Sequence, residues 1–292
     1  MANLTVIGGN SSQDLAKRLA KKLNANFIKS ELRVFPDGES KITLSSKPKK
    51  GKIVVVQSTF PPVDTNLLQA LSLVSKARQY SSNVIAVIPY MGYARQDREF
   101  LSGEVVTMKV IANLFKASGA AKIVVVDIHS MIGLKQFKIP AKNVSAIAEL
   151  VKYFKKLRLK DPLVVSPDLG GKERAKEFAK YFKVDYIALK KQRNRKTGKV
   201  KIVSSGFEDI AGRDLILVDD MISTGGSIIK ATEFLKKQKC KRVYVACTHA
   251  LLINNADKKI KKAGVTQIVS ANTIPGKTSV VDVSSILAKA VS

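Results

Sequence analysis

Short, largely apolar runs recur along the chain at Leu4 to Ile7, Ile53 to Val56, Val84 to Ile88, Ile123 to Val126, Leu163 to Val165, Tyr186 to Leu189, Leu215 to Val218, Val243 to Ala246 and Ile268 to Val269. Runs of four or five such residues without alternation describe strands covered on both faces. Helical periodicity separates them. Leu15, Leu19 and Leu23 form one apolar stripe behind Ser11 and Ser12, which read as helix caps, and Leu67, Leu71 and Val74 form another. A further helix is predicted from about Ile228 to Gln238. Strands alternating with helices predict an α/β protein built on parallel sheets with crossover helices.

The pattern repeats. Ile53 to Tyr90 runs strand, loop with Asp64 and Thr65, helix, strand, and Leu215 to Ala250 follows the same order. The chain therefore reads as two tandem copies of one domain, 1–144 and 145–292, divided near Val144 in the irregular stretch after Ile139 and Pro140. Its 292 residues, 45% of them hydrophobic, suffice for two cores. The copies differ at one position that matters. Asp219 and Asp220 end the strand of the second copy, where the first has Gln57 and Ser58.

The segment Leu215 to Ser227, LILVDDMISTGGS, carries the most chemistry. Its acid pair falls at the carboxyl end of a buried strand, where open α/β sheets bind ligands. Gly225 and Gly226 let backbone N–H groups approach a ligand, Ser223, Thr224 and Ser227 offer hydroxyls, and the following helix presents its positive end. An anion such as phosphate suits that loop. The two carboxylates repel the same anion, so they face hydroxyls or a metal-bound part of the ligand. Gly-Gly with Ser and Thr alone describes an ordinary capped turn; the preceding Asp-Asp makes the segment a sugar-phosphate site. No G-x-x-x-x-G-K-[ST] loop occurs, which removes support for a P-loop kinase.

Charge changes this picture little. Fifty-one Lys and Arg against 23 Asp and Glu give a net charge of +28, with clusters at Lys190 to Lys201, Lys236 to Arg242 and Lys258 to Lys262. Such runs are most often solvated faces, and no aromatic-studded basic strand provides a stacking platform, so nucleic acid is not the expected partner. Cys240 and Cys247 lack zinc-ligand spacing and read as free thiols. Without a signal-like leader or an apolar run of eighteen residues, a cytoplasmic protein without membrane contact is expected.

The Asp219 to Ser227 segment resembles the phosphoribosyl-pyrophosphate loop of the phosphoribosyltransferase fold. VFPDGE (Val34 to Glu39), YARQDR (Tyr93 to Arg98), VVDIHS (Val125 to Ser130), SPDLGG (Ser166 to Gly171) and KKQR (Lys190 to Arg193) extend the likeness. Together, in this order and spacing, they resemble the ribose-phosphate pyrophosphokinase family across essentially the whole chain. The resemblance implies two tandem phosphoribosyltransferase-like domains, each a mainly parallel sheet flanked by helices, with the ATP side on the first and the ribose 5-phosphate loop on the second. It also implies transfer of the β,γ-pyrophosphoryl group of MgATP to the 1-hydroxyl of ribose 5-phosphate, for nucleotide biosynthesis. The site residues it implies are Lys191 and Arg193 for catalysis, on a flap with Asn194, Lys196, Thr197 and Gly198 reading as mobile. Phe35, Asp37, Glu39, Arg95, Gln96 and His129 would bind ATP, with Arg98 a lesser contact. Asp168, Asp219, Asp220, Ser223, Thr224, Gly225, Gly226 and Ser227 would bind ribose 5-phosphate.

Magnesium would be held at Asp168, a hard oxygen ligand beside the Gly170–Gly171 turn, and at His129, whose imidazole serves as well through water or phosphate. Asp127 suits a strand-end structural role and His249 stands outside every motif. Phe35, Asp37 and Glu39 come from a neighbouring subunit in the family, implying at least a dimer. Three departures stand out: Ser223 where many relatives carry Asp, Lys142 where relatives often have an acid near the ATP region, and Glu99 to Val106, which lacks the basic residues of many bacterial and animal forms and resembles archaeal members. A phosphoribosyltransferase would share the sugar-phosphate loop without explaining YARQDR, the Phe35 segment or the duplicated domain, and a non-catalytic regulatory or nucleic-acid-binding homologue would account for the charge and the altered Ser223 and Lys142.

Overall fold

A computed structural model describes residues 3–193, 200–203 and 210–292. Asn194, Lys196, Thr197 and Gly198 of the flap lie outside them, as do the side chains of Lys191 and Arg193. By contacts the chain forms two units, Met1–Ser145 with Asn272–Pro275 and Asp282–Ser292, and Ala146–Ala271 with Gly276–Val281. A single division near Val144 leaves out this last exchange, in which the final helix belongs to the first unit.

The first unit begins with β1 (Leu4–Gly8), α1 (Gln13–Leu23), β2 (Asn26–Val34), β3 (Ser40–Leu44), β4 (Lys52–Val56), α2 (Val63–Arg78) and β5 (Val84–Ile88). It continues through α3 (Thr107–Ala117), β6 (Lys122–Val126), α4 (Met131–Lys135) and β7 (Ala141–Val144). The second unit holds α5 (Ile147–Phe154), β8 (Leu163–Ser166), α6 (Lys172–Phe182), β9 (Tyr186–Ala188), β10 (Lys190–Arg193), β11 (Val200–Val203) and β12 (Asp214–Ile222). Then come α7 (Gly226–Lys237), β13 (Arg242–Ala250), α8 (Ala256–Lys262), β14 (Val265–Ala271) and β15 (Ser279–Val281), before α9 (Ser284–Val291) rejoins the first unit.

The two sheets run β3-β2-β1-β4-β5-β6-β7 and β15-β14-β13-β12-β8-β9. Every pair in them is parallel except β2 with β3. Reversing the second list aligns β9-β8-β12-β13-β14-β15 with β2-β1-β4-β5-β6-β7, so the repeat seen in sequence is a repeat of topology. The apolar runs become the central strands because both faces are covered. Ile53, Val54, Val55 and Val56 are all fully buried, as are Leu215, Ile216 and Leu217. On one face of the first sheet α2 and α3 supply Leu73, Val74, Ile111 and Phe115. In the second unit α7 and α8 supply Ile228, Leu235 and Ile260, while Phe154 of α5 meets Phe178 of α6 edge-on at 5.8 Å.

Some local expectations change. Asp64 and Thr65 lie in the first turn of α2 instead of a loop, because the chain enters that helix directly after Pro62. Ser12 is the N-cap of α1 but makes no side-chain cap bond there. Its Oγ accepts from the Ser58 N–H at 2.9 Å, and Ser11 Oγ donates to the Ser58 carbonyl at 2.7 Å, so both serines tie the first turn to the end of β4.

The amino-terminal ends of the strands are anchored ionically. Asp214, fully buried, accepts from Arg242 at 2.9 and 2.5 Å and from the Lys160 N–H at 2.6 Å. Burial opposes the charge on Asp214, and these bonds outweigh it, holding the carboxyl below the ordinary carboxylate range. In the first unit Lys52 and Lys122 each donate at 2.7 Å to the last carbonyls of α9, those of Val291 and Ala290. Lysines at a helix carboxyl terminus complement its dipole. Lys142, the second residue of β7, acts electrostatically on Lys122 at this end of the sheet.

Candidate active site

The carboxyl edge of the second sheet gathers the residues expected to bind ribose 5-phosphate. Leu217 of β12 pairs with Val165 of β8, so Asp219 and the Ser166 to Gly171 turn emerge side by side. The strand β12 extends to Ile222, past both acids, so Asp219 and Asp220 are its sixth and seventh residues and not its end. Asp220 is 4% exposed; Asp219 Oδ1 accepts from the Asp220 N–H at 2.9 Å. Burial and then the charge of Asp220 push the Asp219 carboxyl up to about 8. Behind them, fully buried Cys247 pairs with Asp219 across the sheet, and burial followed by the two acids pushes its thiol well above the usual range. Cys240 and Cys247 are both free and buried.

One residue that sequence reasoning missed meets both acids. Arg174, in the first turn of α6, brings Nη1 to 3.6 Å from Asp219 and 3.5 Å from Asp220. Its approach passes Gly171, where a Cβ would lie 2.7 Å from Ser166 Oγ and 3.8 Å from Arg174 Nη1. The signal was present in SPDLGGKER, a cation three residues after the Gly pair on a helix that opens at the site. Asp168 is half-buried in the same turn; its Oδ1 accepts from the Gly171 N–H at 3.3 Å and its carbonyl from Ser166 Oγ at 2.6 Å.

The phosphate loop follows. Gly225 has φ 76° and caps α7, which starts at Gly226, two residues earlier than its periodicity suggests. A Cβ on Gly225 would stand 2.8 Å from Ile260 Cδ1, whereas one on Gly226 would enter open space. Glycine is thus demanded by packing and backbone at 225, and at 226 by neither. Ser223, Thr224 and Ser227 surround this helix start, with Thr224 exposed. The first N–H groups of an α-helix lack intrahelical partners and favour an anion. Lys191 and Arg193 belong to β10, which pairs antiparallel with β11, and β11 runs beside α7.

The residues expected to bind ATP from the second half of the first unit, Arg95, Gln96 and His129, occupy its corresponding edge. Arg95 and Gln96 are exposed on the turn after β5, and His129 is exposed on the turn after β6, the adjacent strand. Asp97, only 2% exposed, links these turns by accepting from Ser130 Oγ, while Arg98 Nε stands 3.5 Å away. Burial works against its charge, yet the Ser130 hydroxyl and Arg98 hold the carboxyl below the ordinary range. Tyr93, with φ 61°, donates its hydroxyl to Asp64 in α2, which raises the phenol's pKa. Asp127 also has positive φ, 37°, and its N–H donates to the Val144 carbonyl at 2.9 Å.

Phe35, Asp37 and Glu39 stand apart from these turns. They form the tip of the β2–β3 hairpin, where Phe35 N–H donates to Glu39 O at 2.8 Å and Arg33 covers the Phe35 ring at 5.1 Å. Asp37 and Glu39 are exposed. Since Gly8 pairs with Lys29, β2 runs five residues beyond β1, about 16 Å at the rise of a strand. Three strand spacings, about 14 Å, also separate β2 from β5. The single chain does not bring the hairpin tip to Arg95, Gln96 and His129.

Where the acid pair stands in the second unit, the first has Gln57 and Ser58, both fully buried. Gln57 accepts from the Ser11 N–H and donates to Asn66 Oδ1 and Gln69 Oε1; Ser58 donates to the Thr273 carbonyl and accepts from the Tyr90 N–H. Their polar groups are committed to the fold. No three His, Cys, Asp or Glu side chains converge as a metal cage among the described residues. A magnesium ion suits such a donor set, since it is commonly bound by one or two carboxylates together with substrate phosphates and water. His249 is 1% exposed within β13. Among the described residues no helix is long and apolar enough to cross a membrane.

Comparison with known proteins identifies the family. Residues 4–119 match the model for the N-terminal domain of ribose phosphate pyrophosphokinase, and residues 135–284 match the phosphoribosyl transferase domain. The chain is 38% identical over 290 residues to a ribose-phosphate pyrophosphokinase of Methanopyrus kandleri, covering 99% of this chain and 98% of the relative. It is 36% identical over 290 residues to that of Sulfurisphaera tokodaii, covering 98% and 99%. Among solved structures, phosphoribosylpyrophosphate synthetase from Mycobacterium smegmatis superimposes with a TM-score of 0.86 at 27% identity, over 99% of this chain and 97% of that one.

Proposed function

The chain belongs to the ribose-phosphate pyrophosphokinase family, and from that premise we propose how its own residues make 5-phosphoribosyl 1-pyrophosphate from ribose 5-phosphate and ATP. The observation that carries the reading is the acid pair Asp219–Asp220 beside an open helix start at Gly226, which complements a molecule bearing hydroxyls at one end and phosphate at the other.

In this reading the 5-phosphate rests on Ser223, Thr224, Ser227 and the N–H groups at Gly225 and Gly226. Asp219 and Asp220 accept from ribose hydroxyls, with Arg174 behind them. Ser223 donates to phosphate as well as any hydroxyl does, so this departure from many relatives preserves the loop. The 1-hydroxyl then attacks the β-phosphorus of ATP and gives up its proton to solvent; the bond from that phosphorus to the α–β bridging oxygen breaks, and AMP leaves with the bond's electrons. Little covalent work falls to the protein, so catalysis is positioning and charge stabilisation. Lys191 and Arg193 supply cationic stabilisation to the transferring phosphates. Arg95, Gln96 and His129 hold ATP, with Arg98 at the periphery.

Asp168, and His129 through water or phosphate, would hold Mg2+, which supplies neutralisation of phosphate charge when bound. Phe35, Asp37 and Glu39 serve the adenosine end of ATP bound by another copy of the chain, making the working form at least a dimer. The hairpin's distance from its own ATP-side turns supports that arrangement. A cytoplasmic location belongs to the same proposal.

Kinetics of Lys191→Ala and Arg193→Ala test the assignment. Each should lower kcat by about a hundredfold or more with the Kd for ribose 5-phosphate changed little, the pattern of groups acting only in the transition state. Unchanged turnover in both contradicts it.

A further inference from the structure

Asp97 presents an unusual arrangement: a carboxylate 2% exposed, inside a turn whose neighbours Arg95, Gln96 and Arg98 are all exposed. We propose that Asp97 and Ser130 form a pin that fixes the ATP-side turns after β5 and β6 relative to each other. Asp97 is then a positioning residue for Arg95, Gln96 and His129 and touches no substrate. The inference rests on the ATP-side reading of those three residues.

Ser130 Oγ donates to Asp97 Oδ2 and also accepts from the Ile132 N–H at 3.2 Å, which makes Ser130 the N-cap of α4. The Asp97 turn is closed by the Gln96 N–H donating to Tyr93 O at 2.8 Å and joined to α3 by the Met108 N–H donating to Gln96 O at 3.1 Å. From the other side α4 packs closely, since a Cβ on Gly133 would lie 3.1 Å from Met108 Cγ and 3.5 Å from Asp97 Cβ. Each turn is therefore shaped by its own backbone bonds, while the side-chain bond between Asp97 and Ser130 joins them.

A purely structural role is a poor account of this choice. A buried carboxylate costs desolvation, and a packed apolar pair holds two turns together at less expense. A charged hydrogen bond adds direction. Gln96 is bonded to Asp97 in the chain and His129 to Ser130, so a slip at the pin shifts the residues on either side. Displacements near 1 Å at reacting groups can change rates by about a hundredfold.

The test uses the full-length enzyme with ribose 5-phosphate and MgATP, comparing Asp97→Asn, Ser130→Ala and their double variant with wild type. Each single change should raise the KM for ATP by about tenfold while the KM for ribose 5-phosphate stays within about twofold, and the double should match the worse single, because both act through one bond, which Ser130→Ala removes and Asp97→Asn deprives of its charge. Ser130→Thr, which keeps the hydroxyl, should restore the wild-type KM for ATP. If Asp97→Asn does not fold, Asp97→Ser takes its place, because Ser130→Ala also removes the N-cap of α4. A fall in melting temperature with KM for ATP unmoved overturns the pin, as do single effects that add fully in the double. A wild-type enzyme that makes no AMP removes the ATP-side reading and the pin with it, whereas normal AMP production with unmoved KM removes only the pin.

Discussion

Arg174 Nη1 lies 3.5 Å from Asp220 and 3.6 Å from Asp219, so one guanidinium faces both carboxylates of the proposed sugar site. The Asp219 carboxyl, pushed up to about 8 by burial and then by Asp220, holds a proton at neutral pH, and Arg174 works to lower that value. Ribose hydroxyls donate best to ionised acceptors. Binding of ribose 5-phosphate should therefore tighten as pH rises from about 7 to 9, above the second ionisation of the phosphate near about pH 6. Arg174→Gln should shift that rise to higher pH and weaken binding by about tenfold near neutrality. Calorimetric titration across this range checks both; a flat profile in wild type contradicts the assignment.

The same pair should weaken the fold. A carboxyl whose pKa is raised on folding binds its proton more tightly in the native state, so its contribution to stability falls as pH rises from about 4 toward 8. Asp219→Asn should remove this loss, raising the melting temperature by a few degrees at alkaline pH, while ribose 5-phosphate binding is largely abolished. A variant that gains stability and keeps normal sugar binding would sink the proposed role.

The two loop glycines should separate by function. Gly225→Ala places a Cβ 2.8 Å from Ile260 Cδ1 at φ 76° and should cost about 2–4 kcal/mol of stability. Gly226→Ala meets nothing within 4 Å, so stability should hold within about 0.5 kcal/mol while a methyl group at the helix start weakens ribose 5-phosphate binding. Thermal melts paired with binding measurements distinguish them.

Arg242→Met should cost about 3 kcal/mol by leaving buried Asp214 without its main partner, with KM for both substrates unchanged because this end of the sheet is remote from the site. The sign with pH is opposite to that of Asp219. The carboxyl of Asp214 is held low, so its stabilisation is present above the unfolded value near about 3.9 and is lost as pH falls through the lower folded value. Urea unfolding of wild type and variant should converge in acid.

Co-expression of Phe35→Ala and Arg95→Ala chains should recover activity that neither variant has alone. Mixed oligomers contain some sites built from one intact hairpin and one intact Arg95 turn. Absence of recovery in mixed oligomers shown to form would mean that each chain uses its own hairpin.

The central strands and the repeat were legible because a strand covered on both faces has no room for polar residues, as in Ile53 to Val56. Elsewhere local pattern was weaker than tertiary context. The hairpin β2–β3 carries an edge strand of mixed polarity, NFIKSELRV, that does not read as an apolar run. Asp97 sits in an Arg-Gln-Asp-Arg stretch that looks solvated, and only its partner across the sheet, Ser130, explains its burial. Arg174 was hidden because its meaning depends on acids 45 and 46 positions away in sequence. The place of the final helix in the first unit rests on contacts such as those of Lys52 and Lys122, 239 and 168 positions away in the chain. The candidate site residues were found as motifs, but the contacts that orient them were not.

The most direct measurement is the nucleotide product when purified enzyme is incubated with ribose 5-phosphate and MgATP. The account predicts AMP and 5-phosphoribosyl 1-pyrophosphate in equal amounts, with none formed when the sugar phosphate is omitted. ADP in place of AMP would contradict it.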